Sequence, residues 1–587
     1  MNQIIAMICG IVMTGIIGGC VIERTTRETV LKMTAFGAVG DGIYDDSPAV
    51  QRALAAVRET DGPVRLLFDV QICYLGPQTE RDAQFDLTGL ENITIDGQGA
   101  TLILHPLNGL VRLADCRNVT FKNFVIQHRP LPFMQGDIEA VEDGSFLWRI
   151  HDGFPLPKPA DWMRHHGHFF DNPAAHLPER TEWEQREQFN GPWLWGSVLS
   201  ADSAALKPNF TNHLFVDEVT PVDEKKRLFR VMISEGYREF LSGLIPGERF
   251  VLPRMTRTTE QFFQLRDRGW MFEQNVQVRN SSGILLENLT FYSARPGMVF
   301  GVRHNTGDVT IRGCTVTWLP GTDALMASWR DGVHCKNNRI GPVIENCRFE
   351  GLFDDSVNLS ADAVMAEEIL AADRLRLTSA GFSPGDEIGV FSPDSGMWQT
   401  GLTVTAVTDR DVTFSRPVEH VICGHMIPHD DVRATQFFNL SCANRGFVVR
   451  NNFFGLQRRH AVLARSAGLV ENNIIQGVSG HAFEFSNTSG SFYEGPFPRG
   501  VQVRGNRIFD TARTPVFIGT KGAAVPVTGD ILLEDNEIIC APNVPVRLEC
   551  VESVSFRNNR FSRDGVQPIP QRAGVKVDSR SVNITFF

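Results

Sequence analysis

The chain has 587 residues, 42% of them hydrophobic and 21% charged, with no low-complexity tract, so it can bury a large core and does not read as disordered. Its formal net charge is −11, and without a basic stripe this argues against nucleic acid as a partner. Nor does the overall charge favour an acidic polysaccharide, although local Arg clusters can still accept sulfate or carboxylate groups.

Residues 1–20 read as a leader. The apolar run IIAMICGIVMTGIIGG is followed by Cys20; it is too short and too rich in small residues for a spanning helix and resembles a secretory signal. Ile17-Gly18-Gly19-Cys20 also resembles a bacterial lipoprotein processing site, which would leave Cys20 lipidated and attached to a membrane. The Lys or Arg that usually precedes such a run is missing. The expectation is an exported bacterial protein of the periplasm, outer membrane or cell surface.

From residue 30 onward one motif recurs: NITIDGQGATL at 92, NVTFKNFVI at 118, GILLENLTF at 283, DVTIRGCTV at 308, GPVIENCRF at 341 and GFVVRNNFF at 446. GLVENNIIQ at 468, GVQVRGNRI at 500, DILLEDNEI at 530 and SVSFRNNRF at 553 continue it. Each copy is a short strand with period-two alternation, then Asn or Gly, then a second short apolar run. Stacked copies bury their apolar faces on the next turn, which predicts an all-β fold, a right-handed parallel β-helix. A leucine-rich horseshoe is the rival repeat, but the L-x-x-L-x-L register is absent and β-branched residues and Phe fill the inward positions. The solenoid is expected over 30–128, 273–361 and 438–587.

Two stretches break the repeat and read as inserted β-barrel-like modules, because structureless connections of that length would count against the fold. The first, 129–272, is rich in Trp, His and Pro, including Trp148, Trp162, His165, His166, His168, Trp193 and Trp195. The second, 362–437, holds RLRLTSAGFSPGDEIGVFSP and GLTVTAVTDRDVTFSRPV, the pattern of a small antiparallel barrel. Modules beside a solenoid face commonly wall a pocket, with inert decoration as the alternative. The cysteines form no C-x-x-C or Cys/His cluster, so a zinc site has little support. Cys314 and Cys347 fall at inward positions, where Cys acts as a small apolar filler; Cys540 and Cys550 could bridge in an exported protein.

The segment RDGVHCKNNRIGPVIENCRFEGLFDDSVN, 330–358, sets Asp331 one repeat ahead of Asp354 and Asp355. Adjacent turns of a β-helix lie about 4.8 Å apart, close enough for two carboxyl groups to repel and part their pKa values. Glycoside hydrolysis needs that pair, a protonated acid and a charged carboxylate. Trp329, Arg330, His334, Lys336 and Phe353 add aromatic faces and fixed donors suited to a sugar. The bland readings stay open: Asp331-Gly332 is an ordinary turn dipeptide, Asp354-Asp355-Ser356 could cap a bend, and three acids could hold calcium. Arg465 and Glu484 fall on later repeats of the same face as candidate substrate ligands, and Glu494 in YEGPFP begins an extended turn. His481 in SGHAF resembles the active-site histidine of polygalacturonases and serves equally as a rung residue.

DGVHCKNNRIGPVIENCRFEGLFDDSVN is similar to the catalytic core of glycoside hydrolase family 110, whose members are inverting, exo-acting α-1,3-galactosidases. The resemblance covers most of the chain, including the two insertions and EGPFPRGVQVRGN at 494–506; the opening MTAFGAVGDGIYDDSPAVQRALAA, 33–56, is common to many β-helix carbohydrate enzymes. It implies Asp331 as general acid and Asp354 with Asp355 as the pair that positions and deprotonates water. It implies no cofactor or metal, and a partner that is an oligosaccharide or polysaccharide ending in α-galactose. Inversion asks for carboxyl groups about 6.5–9.5 Å apart, so the side chains are expected to splay. Two alternatives remain: an endo-hydrolase of a charged polysaccharide, of polygalacturonase or carrageenase type, which needs an open basic groove, and a non-catalytic glycan-binding solenoid. Solenoid ends and barrel faces both offer surfaces for a homodimer.

Overall fold

The computed structural model describes residues 28–157, 194–201, 207, 210–211, 214–253, 274–424, 433–488, 492–540 and 543–587. Cys20, Trp162, His165, His166, His168 and Trp193 lie outside them.

The alternating segments stack as a parallel β-helix whose rungs supply strands to three columns. Two columns merge through long bent strands, Glu91–Leu104, Arg117–His128 and Ser282–Tyr292, into one 23-stranded sheet. The third column is a separate sheet in which Gln274–Arg279, Met298–Arg303, Val333–Lys336, Val357–Asp362, Val462–Ala464 and Phe483–Ser486 pair in parallel, each on the next. Between the sheets runs one continuous core of Val, Ile, Leu and Phe. Burial of that apolar area, at about 25 cal/mol per Å², drives the stacking.

One slot of the rung changes chemistry along the axis. In register order it holds Phe124, Leu289, Cys314, Cys347, Asn452, Asn473, Asn506, Asn536 and Asn559. The asparagines form a ladder: Asn473 N–H donates to Asn506 Oδ1 at 2.9 Å, and Asn506 N–H to Asn536 Oδ1 at 3.0 Å. Each side-chain amide also donates to a backbone carbonyl, as Asn506 Nδ2 does to Val470 O at 3.0 Å. The residue before each ladder position, such as Asn451, Asn472, Gly505, Asp535 or Asn558, is left-handed, a conformation that Asn, Asp and Gly adopt most cheaply. Cys314 and Cys347 occupy the apolar end of the same slot and are buried free thiols, as are Cys540 and Cys550.

A helix not anticipated from the sequence, Ser47–Glu59, covers the first rungs. Its buried Ala49, Val50, Ala53, Leu54 and Val57 join the solenoid core beside Val64 and Leu66. Two closed antiparallel barrels interrupt the solenoid, with six strands each among the described residues, spanning Phe133–Pro253 and Val364–Asn439. Each has its own core and also packs on a solenoid turn. The first gathers Leu325, Met326, Trp329 and Phe353 onto its aromatic face; Phe391, Trp398 and Phe438 of the second enclose Tyr493 and Phe497.

Candidate active site

The third sheet sets the site by register. Val333, Val357, Val462 and Phe483 are successive partners, and two residues ahead of each stand Asp331, Asp355, His460 and His481. One further residue back stand Arg330, Asp354 and Arg459, of alternating charge. Asp355, rather than Asp354, is therefore stacked on Asp331. Gly332 makes room for this: a Cβ there would lie 2.7 Å from the Ser356 carbonyl oxygen and 2.8 Å from the Phe349 ring. The Asp-Gly dipeptide is thus a point of close rung approach.

One oxygen from each of Asp331, Asp354 and Asp355 lies within 4.8 Å of the others. Equivalent positions on adjacent rungs sit at about the strand spacing, which brings these oxygens together. Asp331 and Asp355 are buried, 3% and 4% exposed, while Asp354 is half-buried. Burial and the nearby Asp354 raise the Asp331 carboxyl to about 6, against the opposing pull of His334, whose Nδ1 shares a hydrogen bond with Asp331 Oδ2. Asp355 moves the other way. Its burial acts to raise it, but His460 outweighs this, the ring Nδ1 lying 2.8 Å from Asp355 Oδ1 and the backbone N–H donating to the same oxygen at 3.0 Å, so its carboxyl is held well below the usual range. Asp354 faces two guanidinium groups, Arg459 Nε at 3.6 Å and Arg458 Nη2 at 3.8 Å.

Two carboxyl groups of opposite protonation side by side are the arrangement that acid and base roles require. The three acids are near enough to suggest a cation, yet Arg458, Arg459 and His460 already stand against them. His460, His481 and Glu484 also lie close together. His460 there is pushed up to about 9, burial being outweighed by Asp355 and Glu484, and Lys521 Nζ sits 2.9 Å from Glu484 Oε1. With His460 Nε2 2.9 Å from Glu484 Oε2 and Lys521 on the other oxygen of the same carboxylate, this second group reads as an ion-pair chain.

The other candidates separate. His334 and Lys336 are buried on the sheet face beside Asp331. Lys336 Nζ meets Glu494 Oε1 at 3.3 Å and Asp362 Oδ1 at 2.7 Å, and Arg465 Nη1 meets Glu494 Oε2 at 3.1 Å. Glu494 reaches that place because its strand, Glu494–Gly495, pairs antiparallel with Ala361 and Asp362. Arg330 stands on the preceding position of the same turn and is half-buried. Glu484 has its oxygens on His460, Ser486 and Lys521. Trp329, expected to offer a face to sugar, is 1% exposed and packs between Trp195 and Phe353, ring centroids 5.3 and 6.0 Å away. Its place is in the seam between the first barrel and the solenoid. His481 stacks between His460 and Phe517 at 5.5 and 5.3 Å and donates through Nδ1 to Thr514 O at 2.6 Å.

His460, Arg458 and Arg459 were not singled out from the sequence. They follow Asp355 by one rung but by about a hundred residues, because the second barrel is inserted between. The available signal was register: His460 precedes VLA at 462 as Asp355 precedes VNL at 357.

No protein-family model matches the chain. Over 94% of its length it is 22% identical to an α-1,3-galactosidase A of Peterkaempfera griseoplana, of which it covers 78%. It is 24% identical over 92% to an α-1,3-galactosidase B of Phocaeicola vulgatus, covering 93% of that protein, and 20% identical over 97% to an α-1,3-galactosidase A of Shewanella woodyi, covering 92%. Among solved structures, a family 28 exopolygalacturonase of Yersinia enterocolitica aligns with 95% of the chain and 78% of its own at 11% identity and a TM-score of 0.40. Similarity to proteins named α-1,3-galactosidase therefore extends over most of the chain.

Proposed function

We propose that the protein is an exo-acting glycoside hydrolase that releases terminal α-1,3-linked galactose. Asp331 is the general acid: protonated below about pH 6, it gives its proton to the departing glycosidic oxygen as the bond to the anomeric carbon breaks. Asp355, with the more open Asp354, orients a water and takes its proton as the water oxygen bonds to that carbon. The observation that carries this reading is the raised Asp331 beside the lowered Asp355, and the similarity to proteins named α-1,3-galactosidase supplies the linkage.

A neutral sugar is favoured over a charged polymer by the balance on the sheet face. Lys336 and Arg465, the cations an acidic substrate would need, are matched by Glu494 and Asp362. Inversion is the outcome the family resemblance implies. An NMR time course on Gal-α-1,3-Gal decides both points. β-Galactose as the first anomer establishes inversion and α-galactose establishes retention, while absence of galactose removes the galactosidase reading. The same reading has the protein exported and membrane-attached through Cys20; mass spectrometry of the mature N-terminus, showing or lacking a diacylglyceryl cysteine, tests that.

A further inference from the structure

Each of the two buried aspartates stands at the head of a row of the same composition, Asp–His–Glu, and the rows differ in tightness. In the first, His334 Nδ1 is bonded to Asp331 and its Nε2 lies 3.8 Å from Glu494 Oε1, an oxygen shared with Lys336. In the second, His460 Nδ1 and backbone N–H both meet Asp355 Oδ1, and its Nε2 lies 2.9 Å from Glu484 Oε2. Glu484 is anchored in turn by Ser486 Oγ at 2.5 Å and Lys521 Nζ at 2.9 Å. Asp355, His460 and Glu484 are 4%, 6% and 7% exposed, so these charges interact with little solvent screening. The His481 ring, backed by Phe517, fixes the plane of the His460 imidazole.

Three carboxyl groups within 4.8 Å cannot all ionise, and the proton goes to the one whose charge is least supported. We propose that His460 and Glu484 are a positioning pair which holds Asp355 as the carboxylate and thereby leaves the proton to Asp331, assigning base and acid to two otherwise equivalent rung positions. This rests on the glycosidase reading of the same site. Neither residue touches the reacting atoms; Glu484 acts through His460, and His460 through Asp355. The charged and titratable groups facing the pair are Asp355, Arg459, His481 and Lys521, and those facing Asp355 are Asp331, Asp354, Arg458 and Arg459.

The test is Glu484→Gln and, separately, His460→Gln in the full chain, read by steady-state kinetics on Gal-α-1,3-Gal from pH 3 to 9 and by NMR of 13C-labelled histidine. In the wild type the His460 resonance should stay in its protonated position beyond pH 8. In Glu484→Gln it should titrate at least about one pH unit lower, because a neutral amide no longer supports the imidazolium. The acid limb of kcat/KM, kept below the measured window in the wild type by an Asp355 held well under the usual carboxylate range, should move into the window as Asp355 becomes easier to protonate, with kcat down about 10- to 100-fold and KM within about two-fold. A lower kcat with an unmoved acid limb would make the pair merely structural, and a raised KM with unchanged kcat would make Glu484 a sugar ligand; either overturns the proposal. If the wild type releases no galactose, the galactosidase reading fails, while the His460 titration still shows whether the pair exists. If both variants fail to fold, the wild-type titration decides alone, and a His460 that loses its proton near pH 6.5 refutes it.

Discussion

A carboxyl group that must stay protonated near neutrality is kept so at a cost in stability, and Asp331 carries that signature. Between the ordinary carboxylate range and about pH 6 the folded chain holds a proton on Asp331 that the unfolded chain has lost. Stability therefore falls as pH rises through that window, by about 1–3 kcal/mol for a shift of this size. Asp331→Asn removes the penalty and keeps the shape. Turnover should drop by about a thousand-fold or more, while the melting temperature, compared with wild type, should gain progressively between pH 4 and pH 6.5. A variant destabilised equally at every pH would mean that Asp331 is a structural hydrogen-bond partner of His334 and no more. In the wild type, kcat/KM should decline above about pH 6 as the acid ionises. Asp331, Asp354 and Asp355 were legible in the sequence because one uninterrupted repeat separates them. His460 was not, since sequence distance ceases to measure spatial distance where a barrel is inserted between consecutive rungs. Trp329 was misplaced for a related reason: a Trp beside clustered acids looks like a sugar platform until the barrel that buries it is known.

Strands in this protein are only three to six residues long over most of the solenoid, too short to specify register by alternation alone. The buried Asn ladder adds a directional constraint. Asn506 accepts from Asn473 through its oxygen and donates through Nδ2 to Val470 O and Asn536 Oδ1, while its own N–H meets that same Asn536 oxygen. Asn506→Ala would leave several polar groups of the neighbouring rungs unpaired in a dry interior, at about 1–3 kcal/mol for each group that water cannot reach. A marked loss of melting temperature is expected in thermal unfolding, larger than for Ile508→Val on the same rung, which removes one methyl at about 0.5–1.5 kcal/mol. Equal losses would show that water enters the ladder. The bends were readable, since NN, GN and DN pairs mark a left-handed residue followed by an inward Asn. The helix Ser47–Glu59 carried its own signal, apolar residues at 49, 50, 53, 54 and 57 after Ser47-Pro48, but a unique cap has no repeat to announce it.

At the scale of the whole molecule the barrels act as braces for the turns that carry the aspartates and Glu494. The first packs on Leu325, Met326, Trp329 and Phe353, the residues leading into Asp331 and Asp354. The second holds the turn that delivers Glu494: Phe497 lies edge-on to Trp398 at 4.9 Å and to Phe391 at 5.3 Å, three residues beyond the glutamate that bridges Lys336 and Arg465. Glu494 belongs to a later rung and is drawn back over the Asp331 turn by this contact and by its short pairing with Ala361 and Asp362. Trp398→Ala should therefore act at a distance. Removing the indole leaves the solenoid core and the aspartate column untouched but frees the Glu494 turn; on the proposal that Glu494 is a substrate ligand, its misplacement by about 1 Å can cost up to about a hundred-fold. Kinetics should show KM raised about ten-fold or more with kcat changed much less, because the acid and base stay in place. Val404→Ala, a truncation inside the same barrel away from this contact, provides the comparison: if it raises KM as much, the barrel acts through its overall stability, and if neither does, Glu494 keeps its position without the brace.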